Sequence, residues 1–262
     1  MTKQKFPGML HNYNIEPDQT SLSKRLLEPG RFDDFSVAFG DLMLDFSRTS
    51  ISPAALERML ELASASGVEE SRTRLFNAED INFTEQRPAL HMAMRSESVL
   101  ENLDANMVAK VRENRQRMIH FADAFAAGHL PEQPAAPVRN IIHIGIGGSV
   151  LGPRLLIEAL GSEDSPYVHF LSSVDAHLRE DLLAKLDPAE TAVIVATKSF
   201  TTGETLLHAR RVSDWMEQAL GRDAMLQRLF AVSGNQKAVD AFGISHANTL
   251  YLPDWVGGRY SL

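Results

Sequence analysis

The sequence predicts an α/β protein, a three-layer sandwich with a mainly parallel sheet, preceded by a mostly helical N-terminal region carrying one β-hairpin. Three observations predict it. Short apolar runs alternate with helical stretches from about residue 140 onward, the grammar of a parallel sheet covered on both faces. Helical spacing dominates before about Gly128. Around Gly40-Asp41 the period is two instead.

In the first region, Phe35-Ser36-Val37-Ala38-Phe39 and Leu42-Met43-Leu44-Asp45-Phe46 flank Gly40-Asp41, a hairpin turn signal. Ser52 before Pro53 gives a cap and a residue suited to the first helical turn; Gly67 ends that helix. A longer helix is expected over Leu103 to Ala127, with Met107, Val111, Met118, Phe121 and Phe125 as one buried stripe. Gly128 to Pro137 holds three prolines and reads as a linker, so the domains divide as 1–128 and 129–262.

In the second region the strands fall at Asn140 to Ile146, Tyr167 to Leu171, Ala192 to Ala196, Leu229 to Val232 and Thr249 to Leu252. Helices are expected at Pro153 to Leu160, Leu178 to Leu186, Glu204 to Leu220 and Gln236 to Phe242. Ligands of such sheets sit where strand carboxyl ends meet helix N-termini.

Composition narrows the function classes. The 262 residues are 44% hydrophobic and 23% charged, with a net charge of −8. That balance suits a globular protein and argues against a nucleic-acid partner. No cysteine is present, which excludes disulfides, thiolate catalysis and cysteine-bound zinc. No signal peptide is expected at the start, and no apolar run approaches the ~20 residues that span a bilayer. A cytoplasmic location without a membrane partner is the expectation. No histidine pair has metal-binding spacing with a partnered glutamate, so no metal is expected. His143 and His169 read as satisfied core histidines on two strands.

Two loops suit an anion. Gly145-Ile146-Gly147-Gly148-Ser149 ends the first strand and opens a helix, offering backbone N–H groups and the Ser149 hydroxyl. Val150 breaks the dinucleotide fingerprint, Leu151 breaks the nucleophile elbow, and no P-loop lysine is present. A plain tight turn remains the bland alternative. The second loop, Thr197-Lys198-Ser199-Phe200-Thr201-Thr202-Gly203-Glu204-Thr205, places five hydroxyls before a long helix. Capping needs one or two, whereas a phosphate accepts several donors at a positive helix end. The bland alternative here is a solvated Ser/Thr-rich cap. A glycine pair precedes Arg259, whose fork suits an oxyanion, although an ordinary surface arginine has the same spacing.

Together these segments resemble the glucose-6-phosphate isomerase family. Gly145 to Pro153 is similar to its first sugar-phosphate loop, Thr197 to Thr202 to its hydroxyl-rich loop, and Trp255-Val256-Gly257-Gly258-Arg259-Tyr260-Ser261-Leu262 to its arginine signature. Ile81-Asn82-Phe83-Thr84-Glu85 through Leu90-His91 resembles a further family segment. The resemblance implies a first sugar isomerase (SIS) domain of a cytoplasmic, cofactor-free homodimer that interconverts glucose 6-phosphate and fructose 6-phosphate. It puts the phosphate on Ser149, Thr197, Ser199 and Thr202 with the Lys198 main chain, close approach at Gly148, and enediolate stabilisation on Arg259. Thr197-Lys198-Ser199 stands where the family commonly has Ser-Lys-Thr, Val150 where it has aspartate, and Gly203 where it has glutamine. The base glutamate, ring-opening histidine and late lysine of the family match nothing up to Leu262, so the isolated chain is expected to be nearly inactive. Glu204 and Asp175 read as a first-turn charge and a turn residue, not as substitutes. A non-catalytic sugar-phosphate-binding SIS module is the alternative; it leaves the arginine signature unexplained.

Overall fold

The computed structural model describes residues 20–162 and 164–257, and the chain divides into two compact units after Arg74. In the first unit, α1 (Leu22–Arg25) and α2 (Arg31–Asp34) precede a hairpin of β1 (Ser36–Phe39) and β2 (Leu42–Asp45). Phe39 pairs with Leu42, so Gly40-Asp41 is the two-residue turn, with Gly40 at φ 57°. The helix α3 (Pro53–Ala65) starts at Ser52, whose side chain accepts the Ala55 N–H at 3.1 Å. The next helix, α4 (Val68–Phe76), crosses the division.

The second unit is built on five parallel strands: β5 (Asn140–Ile144), β6 (Tyr167–Leu171), β7 (Thr191–Ala196), β8 (Leu229–Ser233) and β9 (Thr249–Tyr251), in the order β6-β5-β7-β8-β9. Their near-continuous apolar sequence follows from burial on both faces. Ile142, Ile144, Val193, Val195, Leu229 and Ala231 point to one face. There they meet Ala209, Val212 and Met216 of α9 (Gly203–Leu220) and Val239 of α11 (Gln236–Phe242), with α10 (Arg222–Gln227) between those helices. Ile141, Ala192 and Phe230 alternate onto the other face, against α6 (Ala105–Ala126). Phe121 and Phe125 of α6 both meet Phe230 edge-on, at 5.6 and 5.2 Å. Helix, sheet and helix are the three layers expected. Two shorter helices complete the unit, α5 (Glu97–Leu100) and α8 (Ala176–Leu183), with α7 (Gly148–Leu160) following β5.

Several expectations are corrected. The proline-rich stretch 128–137 is not a bare linker: His129–Leu130 (β3) pairs antiparallel with Gln133–Pro137 (β4). A two-stranded pair is all edge, and an edge tolerates the missing proline N–H. Met118 leaves the predicted stripe and is 45% exposed, because α6 turns only part of that face to the sheet. Helix α7 begins five residues earlier than expected, so Pro153 lies inside it. A helical residue 153 would donate its N–H to the Ser149 oxygen, and proline cannot. The Nε2 of His143, on β5, lies 2.8 Å from that oxygen and supplies the donor.

The edge strand β9 is held by α6. Asn114 Nδ2 donates to the Tyr251 oxygen at 2.8 Å, and Arg117 donates to the oxygens of His246 and Thr249 at 2.9 Å each. The chain leaving β9 then meets a third cluster, in which Trp255 packs on buried Leu90, Ala93, Val99, Leu100 and Val111.

Candidate functional site

The strand order reverses between β5 and β7. From β5 the chain moves outward to β6, and after β7 it moves the other way to β8 and β9. The loops leaving these two neighbours therefore open a crevice at their carboxyl ends, the usual ligand position in such sheets. A cleft of about 500 Å³ lies there, and Gly148, Ser149, Thr197, Lys198, Ser199 and Thr202 all line it. Arg259 lies outside the described residues.

The first loop is a tight turn. Gly147 takes φ 57°, ψ −119°, conformations closed to most side chains. A Cβ on Gly145 would stand 3.1 Å from the Ser149 oxygen and 3.3 Å from that of Ala196, so the two loops touch backbone to backbone here. Ser149 and Val150 donate their N–H groups to Ile146 and Gly147 oxygens, at 3.2 and 3.0 Å. The turn thus consumes those two donors, and Ser149 offers its hydroxyl. Behind it, burial pushes the pKa of His143 below the ordinary histidine value, partly opposed by its hydrogen bond to Ser149. His169 is likewise satisfied, 3.0 Å from Asn140 Oδ1, with its pKa lowered by burial.

The second loop is pinned by Phe200. Its side chain is 2% exposed and meets Phe242 edge-on at 5.7 Å, while its backbone holds φ 52°. That left-handed turn is costly for a non-glycine residue, and the buried ring keeps it in place. It leaves Ser199 and Thr201 side by side, hydroxyls 2.7 Å apart. Thr202 stands at the N-cap of α9 but makes no capping bond; its hydroxyl lies 3.3 Å from that of Thr197 instead. A solvated cap would have turned Thr202 onto the first-turn N–H groups. The Thr197 and Thr202 hydroxyls instead line the cleft, at the positive end of an 18-residue helix. Asp175, by contrast, does cap α8, accepting the His177 N–H at 2.8 Å.

The cleft is also lined by residues to which the sequence assigned no role. Glu85, Arg87, Gly234, Asn235 and Asp254 line it. Asn82 and Arg87 pair across a tight turn with Gln86 at φ 50°, which presents Glu85 and Arg87 together. Asn235 donates Nδ2 to the Ser199 oxygen at 2.9 Å and accepts the Ala238 N–H at 3.1 Å, joining the hydroxyl loop to α11. A Cβ on Gly234 would be 2.8 Å from the Leu252 oxygen and 3.4 Å from that of Lys198. Only glycine lets those segments close on each other. The available signals were the Ile81 to His91 segment and a Ser-Gly-Asn at a strand end. Among the described residues no histidine and carboxylate cluster suits a metal, and no helix is long and apolar enough to cross a membrane.

A family model for phosphoglucose isomerase matches residues 45–262. The chain belongs to that family. Relatives named glucose-6-phosphate isomerase include one from Xanthobacter autotrophicus, 41% identical over 238 residues. That match covers 90% of this chain and 44% of the relative. One from Streptomyces griseus is 38% identical, over 95% of this chain and 48% of its own length. The chain thus spans less than half the length of these curated relatives. Among solved structures, a glucose-6-phosphate isomerase from Chlamydia trachomatis superposes with a TM-score of 0.68 at 20% identity. It covers 97% of this chain and 48% of the other, and it shares the family fold.

Proposed function

We propose that this chain supplies the phosphate-binding part of an aldose-ketose isomerase that interconverts glucose 6-phosphate and fructose 6-phosphate. The observation that carries the proposal is Thr202: a hydroxyl at a helix N-cap, turned away from its own helix toward Thr197 on the wall of the cleft. The phosphate is held by the hydroxyls of Ser149, Thr197, Ser199 and Thr202 and by the Lys198 main chain. Gly148 allows the sugar to approach the turn. In this reading residues 129–262 are the first SIS domain, and residues 1–128 are the mostly helical region before it.

The reaction opens the sugar ring and removes the proton from C2 of the aldose. It then returns a proton to C1, with the enediolate charge stabilised by Arg259. The chemistry needs neither metal nor organic cofactor, and the complete enzyme is a cytoplasmic homodimer. None of the residues assigned here is a base. Absence of a general base costs about 10²–10⁴ in rate, so the isolated chain binds substrate but turns over slowly at best.

Calorimetric titration with fructose 6-phosphate, with NAD as control, tests the reading. Saturable sugar-phosphate binding without NAD binding is expected. Charge-assisted hydrogen bonds contribute about 1.5–3 kcal/mol each, so Ser149→Ala with Thr202→Ala should weaken binding at least ~100-fold. A folded chain that fails to bind, or a double variant that binds normally, overturns the assignment. Turnover equal to that of a full-length relative overturns the expected inactivity.

A further inference from the structure

Three consecutive carbonyls after β9 each receive a donor from a distant part of the chain. The Asp254 oxygen accepts from Lys198 Nζ at 2.7 Å and from Arg87 Nη1 at 3.2 Å. The Trp255 oxygen accepts the Leu90 N–H at 3.1 Å. The Val256 oxygen accepts from Lys198 Nζ again, at 3.0 Å. The Lys198 ammonium, on the wall of a candidate anion site, is therefore turned onto neutral backbone oxygens, while Arg87 also pairs with the carboxylates of Glu85 at 3.5 Å and Asp254 at 3.8 Å.

This use of Lys198 is expensive. Ordering a lysine side chain forfeits about 1.5–2 kcal/mol of rotamer entropy, and an ammonium has only three donors, of which two are committed here. A lysine reserved for a phosphate would keep those donors for the ligand. Its backbone meanwhile sits in the hydroxyl-rich loop, where its carbonyl accepts the Gly234 N–H at 3.0 Å and the Ser233 hydroxyl at 3.1 Å. Gly234 in turn admits the Leu252 carbonyl, as the 2.8 Å approach to a Cβ there shows. Loop and segment are thus tied twice, through Gly234 and through the ammonium. A shift of the loop must pull on residues 254–256.

We propose that Lys198 is a positioning residue that couples occupancy of the hydroxyl-rich loop to the Asp254–Val256 segment, with Arg87 as a second fastener. The coupling to substrate rests on the proposed function; the strap itself does not.

Amide hydrogen exchange on the whole chain reads the strap directly, because the buried Leu90 N–H bonds to the Trp255 oxygen. In Lys198→Met, the Leu90 and Val256 amides should exchange at least tenfold faster, while Val195 in the sheet is unchanged. Lys198→Arg, which restores donors, should return both amides to within about threefold of the native chain. Arg87→Met, which leaves the hydroxyl loop untouched, should accelerate Leu90 by a smaller factor of about three. Unchanged Leu90 and Val256 exchange in both methionine variants overturns the strap, as does an acceleration shared equally by Val195. For the coupling, saturating fructose 6-phosphate should slow Leu90 exchange in the native chain and in Lys198→Arg. Equal slowing in Lys198→Met, at the same fractional occupancy, overturns it. If the native chain does not bind fructose 6-phosphate, the proposed function and the coupling fall together, and the ligand-free comparison still decides the strap.

Discussion

Replacing Phe200 tests whether the hydroxyl-rich loop is held by its buried ring or by its backbone. The side chain is 2% exposed, belongs to the main core cluster and meets Phe242 edge-on. Phe200→Ala should therefore cost about 3–5 kcal/mol of unfolding free energy, the usual range for a buried phenylalanine. The backbone adds a second, separable quantity. At φ 52° any L-residue bears about 1–2 kcal/mol of left-handed strain, which glycine does not. Glycine also makes the unfolded chain more flexible, at a cost of about 0.4–1 kcal/mol. Phe200→Gly should thus be more stable than Phe200→Ala by roughly 0.5–1 kcal/mol, the reverse of the order inside a helix. Urea unfolding followed through Trp215, which packs on the same cluster, measures both differences at constant slope. The same variants should bind fructose 6-phosphate at least tenfold more weakly. An alanine variant that loses under about 1 kcal/mol, or a glycine variant clearly below alanine, refutes the anchoring argument.

Two further outcomes follow from the geometry. Burial holds the His143 pKa below its unfolded value of 6.5, so the unfolded chain binds the extra proton. Stability is then full above about pH 6.5 and declines as the pH falls toward the folded pKa, by up to about 1.4 kcal/mol per unit. His143→Gln, which keeps a donor for the Ser149 oxygen, should flatten that decline; His91 and His169, also lowered by burial, supply the remaining slope. Unfolding free energies from pH 5 to 7.5 decide it, and parallel curves would dismiss His143 as a contributor. Gly234→Ala forces its Cβ against the Leu252 oxygen. It should cost about 1–3 kcal/mol and weaken sugar-phosphate binding, read by thermal unfolding and calorimetry.

Much of the sheet was legible because both of its faces are buried. Runs such as Ala192-Val193-Ile194-Val195 have no polar alternation to blur them, and the hairpin turn at Gly40-Asp41 is local chemistry. The hydroxyl loop was legible for the same reason: five hydroxyls exceed what a cap uses. What stayed hidden depends on distant partners. Pro153 looked like a helix start, because nothing nearby in sequence announces that His143 would supply the missing donor. Lys198 meets Asp254 across 56 residues, and Arg87 meets it across 167, so nothing local announces these contacts. The prolines of 128–137 suggested a linker because edge pairing, which tolerates them, is likewise set by the fold around it.

The pairing of Pro153 with His143 has a consequence for how this turn can vary. Proline removes one amide from the helix, and the histidine ten positions earlier lends an imidazole N–H to the carbonyl left over. Giving position 153 its amide back makes a second suitor for a carbonyl already engaged, while losing the histidine alone leaves that carbonyl dry. A change at one should therefore be tolerated best beside a compensating change at the other, across the strand and the helix that the glycine turn joins.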